Sequence, residues 1–249
     1  MNLIEFKDVS FSYSKDKIIS RLSLSYNKSS ILGILGPSGC GKSTVLRLIA
    51  GLEKPSKGAI IYESEFRETP IQGLRFAFQD FDAFPWLTVE ENLCLAGASQ
   101  ETTDTSLSLR ELLQKIGLYE HKKKYPSELS GGMRKRLALA RTVATKPHII
   151  LLDEPFSSLD IDTRYEMYEL LQSLWLDSQC LVVLVTHDIH EAVYLCGEII
   201  VSTPAPFEIK ERFDIPFDYP RTLKIIESSE FIQLVGKVSH ELTSNRKGE

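Results

Sequence analysis

The chain has 249 residues, a length that allows one large domain or two small ones. Hydrophobic residues make up 43% of it and charged residues 25%, close to the averages of folded globular domains, which excludes a disordered chain. The 29 basic and 34 acidic residues give a formal net charge of −5, so no basic excess exists to neutralise a phosphate backbone, and we expect no nucleic acid partner.

The apolar runs and the cysteines narrow the class of protein further. The longest wholly apolar runs, such as 149–152, are far shorter than the about 20 residues that a membrane-spanning helix needs, and no apolar signal region follows the N-terminus. The cysteines Cys40, Cys94, Cys180 and Cys196 form no Cys-x-x-Cys pair. Their spacing favours reduced side chains in a cytosolic protein over a metal site or a disulfide frame.

The first 79 residues predict strands around one helix. Val9, Phe11 and Tyr13 alternate with polar neighbours, which is typical of a half-buried antiparallel strand. The apolar run 31–35 predicts a fully buried strand, which leads into a glycine-rich turn and a helix over 42–52.

After residue 79 the pattern of apolar residues predicts three further regions. Helical patterns within 80–130 predict an inserted helical subdomain, and the prolines after residue 203 precede a helical pattern around Phe231. Between them the predicted helices are 133–145, 163–176 and 188–196, and the predicted strands are 148–153, 181–186 and 198–202. Such alternation predicts an α/β fold whose mostly parallel sheet is covered on both faces, beside an antiparallel N-terminal subdomain.

Residues 36–43, Gly-Pro-Ser-Gly-Cys-Gly-Lys-Ser, fit the phosphate-loop pattern G-x-x-x-x-G-K-[ST] between a predicted strand and a predicted helix. The glycines let backbone N–H groups surround phosphate oxygens, and the helix N-terminus adds partial positive charge. We expect Lys42 to reach the β- and γ-phosphates and the Ser43 hydroxyl to hold Mg²⁺; a chance glycine-rich turn is the alternative. The predicted ATP-binding residues here are Gly36, Pro37, Ser38, Gly39, Cys40, Gly41, Lys42, Ser43 and Thr44.

Two acids follow the predicted strand 148–153. The carboxyl end of a parallel strand is where α/β folds bind ligands, so we expect Asp153 to hold Mg²⁺ through water and Glu154 to polarise the attacking water. An exposed acidic turn after a core strand is the alternative, and the phosphate-loop pattern elsewhere in the chain argues against it.

Residues 129–133, Leu-Ser-Gly-Gly-Met, begin a basic helix, and here the sequence resembles the ATP-binding subunits of ABC transporters over nearly its whole length. In that family a Ser-Gly-Gly helix start closes over ATP held by the other subunit, which implies this role for Ser130, Gly131 and Gly132. The family's usual fifth residue is Gln, and Met133 replaces it here, so any hydrogen bond from that amide is missing.

The same resemblance assigns roles to four more residues. It implies that Gln79 senses Mg²⁺ and the membrane partner, that Asp160 crosses the dimer seam, that His187 holds the γ-phosphate and that Tyr13 stacks on adenine. Taken singly, Gln79 is equally a surface amide, His187 a strand-end histidine and Tyr13 a core-facing strand residue.

The resemblance implies one ABC ATPase domain over 1–249, with a P-loop NTPase core in 1–79 and 131–203, a helical subdomain in 80–130 and a C-terminal extension in 204–249. It implies ATP and Mg²⁺ as cofactors and hydrolysis of ATP between two such subunits. It also implies integral membrane permease subunits as partners at the cytoplasmic face of the membrane, and an extracytoplasmic solute-binding protein as an indirect partner.

Residues 84–88, Phe-Pro-Trp-Leu-Thr, and the tail segments 206–210 and 217–221 resemble the nitrate, sulfonate and taurine importer group, which includes importers of pyrimidines. We therefore expect Trp86 to pack against a membrane subunit; the alternative is that it fills a gap under the helical subdomain.

Two other functions compete with an importer subunit. One is a soluble ABC ATPase acting on DNA or ribosomes, and the other is a small-molecule kinase with a P-loop.

Overall fold

The computed structural model describes residues 3–26, 29–62, 73–77, 83–98 and 108–244. The strands in these ranges are β1 (Ile4–Tyr13), β2 (Asp16–Tyr26), β3 (Ser30–Leu35), β4 (Lys57–Tyr62), β5 (Leu74–Ala77), β6 (Ile149–Asp153), β7 (Leu181–Val185), β8 (Glu198–Ser202) and β9 (Ile209–Asp214). The helices are α1 (Lys42–Ile49), α2 (Val89–Ala98), α3 (Leu109–Lys115), α4 (Gly131–Val143), α5 (Ile161–Ser178), α6 (Ile189–Leu195) and α7 (Ser229–Thr243). Short 3₁₀ helices cover Tyr119–His121, Pro126–Glu128 and Leu223–Glu227.

The strands form two sheets. The smaller is antiparallel with the order β2-β1-β4, and the larger has the order β5-β6-β7-β3-β8-β9. In the larger sheet β5, β6, β7, β3 and β8 are parallel, and β9 is antiparallel to β8. The carboxyl ends of β3, β6 and β7 therefore meet at one edge, where ligands bind in open parallel sheets.

Side chains alternate between two cores on the faces of the large sheet. Leu32 and Ile34 of β3 pack with the small sheet and α1, whereas Ile31 and Leu35 pack with the helices of the other face. The same alternation runs through β6 and β7, as expected for strands that are buried on both sides. The predicted α/β fold, with a parallel sheet covered on both faces and an antiparallel N-terminal sheet, is confirmed.

Several element bounds differ from the sequence expectations. The first helix ends at Ile49 because Gly51 takes the left-handed conformation (φ 67°) that terminates helices. Helix α5 begins two residues early because Asp160 caps it. Strand β9 was not predicted, since it lies in the proline-containing tail and pairs with β8 on one side only. Residues 78–79 of the predicted strand region and 99–106 of the predicted helical subdomain lie outside the described residues.

A buried arginine anchors the chain that follows β9 to the end of α6. The Arg221 side chain is 3% exposed, and its Nη1 donates to the carbonyls of Val193, Tyr194 and Cys196 at distances of 2.8–3.1 Å. These carbonyls lie at the end of α6, where a cation also offsets the partial negative charge of the helix C-terminus.

Within the described ranges, no helix combines the length and the apolar character that crossing a membrane requires.

Candidate nucleotide-binding site

The glycine-rich segment forms a loop between β3 and α1. Gly39 and Gly41 have φ values of 76° and 112°, a region that favours glycine, and Gly41 is the N-cap of α1 without any side-chain cap. A Cβ atom at Gly36 would lie 2.0 Å from Ser202 Oγ, so only glycine fits there. The first turn of α1 therefore has backbone N–H groups that no side chain caps, and these are the groups that bind phosphate at a helix N-terminus.

The Lys42 side chain folds back over this loop. Its Nζ donates to the carbonyl oxygens of Gly36 (2.8 Å) and Pro37 (2.9 Å), and the residue is only 7% exposed. Cys40 faces away, because its buried Sγ lies 3.2 Å from Ser202 Oγ. The loop residues thus fit a polyphosphate, because they combine a cation, an uncapped helix N-terminus and open space beside Gly39.

Asp153 ends β6 beside Ser43. Burial raises the pKa of Asp153 above its usual range, and the neighbouring Glu154 carboxylate raises it further, whereas a hydrogen bond from Ser43 lowers it. A hydroxyl and a carboxylate are suitable oxygen donors for Mg²⁺. Among the described residues no group of three or more His, Cys, Asp or Glu side chains is arranged to hold a metal. A cation here would need phosphate, water or amide oxygens to complete its coordination.

Glu154 and His187 come together at the same edge. His187 Nδ1 lies 3.2 Å from Glu154 Oε2, and the backbone N–H of Glu154 donates to Val185 O at 2.9 Å. Glu154 has a φ of 47°, a left-handed conformation that costs a non-glycine residue of order 1–3 kcal/mol and recurs at functional sites. The fold thus joins two of the three predicted catalytic residues; the third, Gln79, lies outside the described residues.

Ser130 is the N-cap of α4. Its Oγ accepts a hydrogen bond from the backbone N–H of Met133 at 3.2 Å, so the Met133 side chain takes no part in the cap and packs against the core instead. Ser130 and Gly131 are exposed, and a Cβ atom at Gly131 would meet nothing within 4 Å. This helix start is open to another molecule.

Asp160 caps α5 in the same way. Its Oδ1 accepts from the Thr163 N–H at 3.0 Å, and this hydrogen bond lowers the pKa of Asp160. The next residue, Ile161, is a large apolar side chain exposed to 69%. An exposed apolar residue beside a capped helix start is consistent with an interface at this segment.

Tyr13 ends β1 and is 39% exposed, so it is not the core-facing residue of the alternative interpretation. Its hydroxyl donates to Glu53 Oε1 at 2.9 Å, and its ring packs edge-on against Phe11 with the centroids 4.7 Å apart. An aromatic ring exposed to this extent is able to stack on a planar group.

Arg164, Asp188 and Glu191 adjoin this site, and the sequence did not single them out. Burial raises the pKa of Glu191 to about 8, with the Asp188 charge adding to the effect. The pattern Asp-x-x-Glu at the start of a helix could have identified Asp188 and Glu191 as a cap, but nothing in the sequence indicated the contacts of Arg164.

A phosphate-type loop between a parallel strand and a helix, with acids at the carboxyl end of another strand of the same sheet, defines a P-loop nucleotide-binding protein. The ABC transporter family model matches residues 19–157, and the chain belongs to this family.

Curated relatives match almost the whole chain. It is 36% identical to the aliphatic sulfonates import ATP-binding protein SsuB of Bacillus thuringiensis, with 94% of each chain covered. It is 38% identical to the Bacillus subtilis protein of the same name, covering 83% of this chain and 81% of that one.

Solved structures agree. A dimeric, post-hydrolysis state of the ATP-binding cassette MJ0796 bound to ADP and phosphate is 28% identical, with a TM-score of 0.69, and covers 86% of this chain and 100% of its own. The cassette cbiO1 of Clostridium perfringens, at 21% identity and a TM-score of 0.73, covers 95% of both chains and shows the same fold. The predicted P-loop NTPase fold and ABC ATPase class are confirmed.

Proposed function

We propose that this chain is the ATP-hydrolysing subunit of an importer of aliphatic sulfonates or a related small solute. The observation that carries the proposal is its similarity to the SsuB proteins over 94% of both lengths, together with phosphate-binding, acidic and histidine side chains at one sheet edge. Nitrate, taurine and pyrimidines stay within the predicted range of cargoes, because the solute does not touch this subunit.

ATP would bind with its phosphates on the loop 36–44 and its adenine against Tyr13. Lys42 would exchange its contacts with Gly36 and Pro37 for the β- and γ-phosphates. Ser43 and Gln79, with Asp153 acting through water, would hold Mg²⁺, which neutralises charge on the phosphates when it is bound.

Hydrolysis would depend on the contact between Glu154 and His187. The Glu154 carboxylate would accept a proton from the attacking water, which is the task of a general base. His187, whose Nδ1 lies 3.2 Å from that carboxylate, would hold the γ-phosphate beside it. A site for phosphoryl transfer works mainly by positioning the reacting groups and by stabilising the charge of the transition state.

The active form would be a dimer in which each subunit completes the other's site. Ser130, Gly131 and Gly132 would close over ATP on the partner, with the helix dipole of α4 directed at the γ-phosphate. Asp160 would lie at the seam. All of these residues except the half-buried Gly132 are exposed on the single chain, which suits contact with a second one.

Trp86 would contact the membrane subunits. It is 69% exposed and stacks on Phe84 with the ring centroids 5.2 Å apart, while the Arg141 guanidinium lies 4.0 Å from the Phe84 ring. The buried Asn92 fixes this turn by accepting from Phe84 N and donating to Phe84 O and Leu87 O. A rigidly held exposed aromatic argues for an interface and against a gap-filling role. The sequence also predicts that Phe78 and Phe81 join Phe84 and Trp86 in one aromatic cluster at this interface, and these two residues lie outside the described residues.

The partners that follow are a second ABC ATPase subunit, integral membrane permease subunits and, indirectly, an extracytoplasmic solute-binding protein, with the chain peripheral at the cytoplasmic face. The division into core, helical subdomain and extension stays a prediction.

Uptake by cells tests the proposal. Cells that lack this gene should lose uptake of labelled ethanesulfonate, and the wild-type chain should restore it. Lys42→Ala should not restore uptake, because it lacks the charge that faces the phosphates. Lys123→Ala, at an exposed surface lysine paired with Glu90, is the control and should restore uptake fully. Uptake restored by Lys42→Ala would exclude an ATP-driven role. An active ATPase whose loss changes uptake of no sulfonate, nitrate, taurine or pyrimidine would favour the soluble ABC ATPase.

A further inference from the structure

Arg164 hydrogen-bonds to two chain segments that each carry a residue of the proposed site. Its Nη1 donates to Asp188 Oδ2 at 3.1 Å, and its Nη2 donates to the Leu159 carbonyl oxygen at 3.0 Å. Leu159 directly precedes Asp160, and Asp188 directly follows His187. A single planar cation on the first turn of α5 thus connects the predicted seam segment to the segment that carries His187.

Each segment that Arg164 contacts is anchored to a helix start. Asp188 Oδ1 accepts from the Glu191 N–H at 3.2 Å and caps α6, while the Asp188 N–H donates to Thr186 Oγ1 at 3.0 Å. One carboxylate therefore uses one oxygen for the cap and the other for Arg164. A movement of the Leu159 carbonyl would be transmitted through the guanidinium to the backbone next to His187.

Helices α5 and α6 contact each other again one turn after Arg164. The Tyr168 hydroxyl on α5 donates to Glu191 Oε2 on α6 at 3.1 Å, and the Tyr168 and Tyr194 rings lie 5.7 Å apart. These contacts are buried. Helices α5 and α6 are therefore joined both by the guanidinium and one turn further along, which holds the Leu159 and Asp188 segments at a set distance from each other.

We propose that Arg164 is a positioning residue that couples the subunit seam to the hydrolysis site. When the partner subunit contacts the seam, the fixed Leu159 carbonyl and Arg164 hold Asp188 so that His187 faces Glu154. The inference rests on the proposed roles of His187 and Asp160. The chemistry requires arginine, because its rigid fork holds two acceptors at once, whereas a lysine ammonium is a point charge on a flexible stem.

Arg164→Lys tests the role while keeping the charge. The turnover number for ATP should fall roughly 10- to 100-fold, as expected when a reacting group is misplaced by about 1 Å. The affinity of the isolated subunit for a fluorescent ATP analogue and the melting temperature should stay unchanged. Arg212→Lys is the matched control. Arg212 also joins a carboxylate (Glu198 Oε1) and a carbonyl oxygen (Ser23 O), but between β2, β8 and β9, and this variant should keep its turnover.

A second measurement separates positioning from a general loss of structure. In a His187→Ala background, single-turnover hydrolysis should fall by less than about 2-fold on adding Arg164→Lys, because the residue acts through His187. The same factor lost in both backgrounds, a wild-type turnover in Arg164→Lys, or an equal loss in Arg212→Lys would each overturn the proposal. Unchanged hydrolysis in His187→Ala alone would instead overturn the proposed function, and the inference with it.

Discussion

His187 and Glu154 contact each other because they follow neighbouring parallel strands. Asp153 of β6 is paired with Val185 of β7. Glu154 follows Asp153 directly and His187 lies two residues after Val185, which brings Glu154 Oε2 to 3.2 Å from His187 Nδ1. The site's acid and histidine are thus set by the register of two buried strands. A shift of one residue in that register would separate Glu154 from His187. It would also turn every core side chain of β7 to the opposite face of the sheet.

Glu154→Gln should keep ATP binding and lose most of the turnover. The amide has nearly the shape of the carboxylate but cannot accept the proton, and general-base assistance is worth about 10²–10⁴-fold. The variant should also accumulate an ATP-bound dimer that gel filtration detects. Glu166→Gln, on the exposed side of α5, is the control and should behave as the wild type. Near-normal hydrolysis by Glu154→Gln would place the base elsewhere.

Ser130→Arg should abolish hydrolysis while the isolated subunit still binds ATP. Ser130 lies on an exposed helix start, and the proposed site uses it against the partner's nucleotide, so the bulky cation should block only the dimer. Ser130→Thr keeps a capping hydroxyl and should remain active. Steady-state hydrolysis and nucleotide titration measure the two effects. Mixing Ser130→Arg with Lys42→Ala should restore at most one composite site. If Ser130→Arg lost ATP affinity on the single chain, the two-subunit geometry would be wrong.

The sequence predicted the parts of the site that depend on local pattern. The run 36–43 and the strand ending at Asp153 each carry their own signal, and so does the Ser-Gly-Gly start of α4. The caps at Asp160 and Asp188 were not predicted, although Asp is a common residue type at a helix start. The sequence alone could not reveal that Arg164 reaches both Leu159 and Asp188, because that contact depends on how α5 packs beside α6. Pairwise contacts between distant segments leave no periodic trace.

The C-terminal part of the chain also has contacts that could not be predicted from the sequence. Arg221 stands in a stretch of prolines and aromatic residues for which the sequence predicted no strand or helix, yet its guanidinium is buried against three carbonyls at the end of α6. Strand β9 was missed for a related reason, since an exposed edge strand carries little apolar alternation. Composition does not distinguish a charged residue that is solvated from one that is fully hydrogen-bonded inside.

Trp86→Ala should leave ATP hydrolysis by the isolated subunit unchanged and should weaken assembly with the membrane subunits or uptake of the solute. The side chain is exposed, so its removal opens no cavity in the described core. Co-purification of the complex and uptake by cells measure the effect. Ile232→Ala, at an exposed apolar residue of α7, is the control and should assemble normally. Loss of folding in Trp86→Ala, or intact assembly and uptake, would contradict a docking role.

Glu191→Gln should remove a pH dependence of stability. Burial, with Asp188 nearby, raises the pKa of Glu191 to about 8 from an ordinary value of 4.5, so the folded state keeps a proton that the unfolded chain releases. The free energy of unfolding should therefore fall as pH rises from about 5 to about 8, because over that range the folded state binds more protons than the unfolded state. The glutamine resembles the protonated acid, and its amide oxygen can still accept from the Tyr168 hydroxyl.

The gain in stability of Glu191→Gln over the wild type should be small near about pH 5.5 and should grow up to about pH 8.5, where the wild type must bury a charge. Denaturant unfolding at these two values and at about pH 7 measures it, with Glu166→Gln as an exposed-carboxylate control that should follow the wild type. Equal slopes against pH in Glu191→Gln and the wild type would mean that Glu191 is already ionised in the folded protein. In that case a nearby cation would have to stabilise the Glu191 carboxylate, and Arg164 is a cation whose charge lowers the pKa of Glu191.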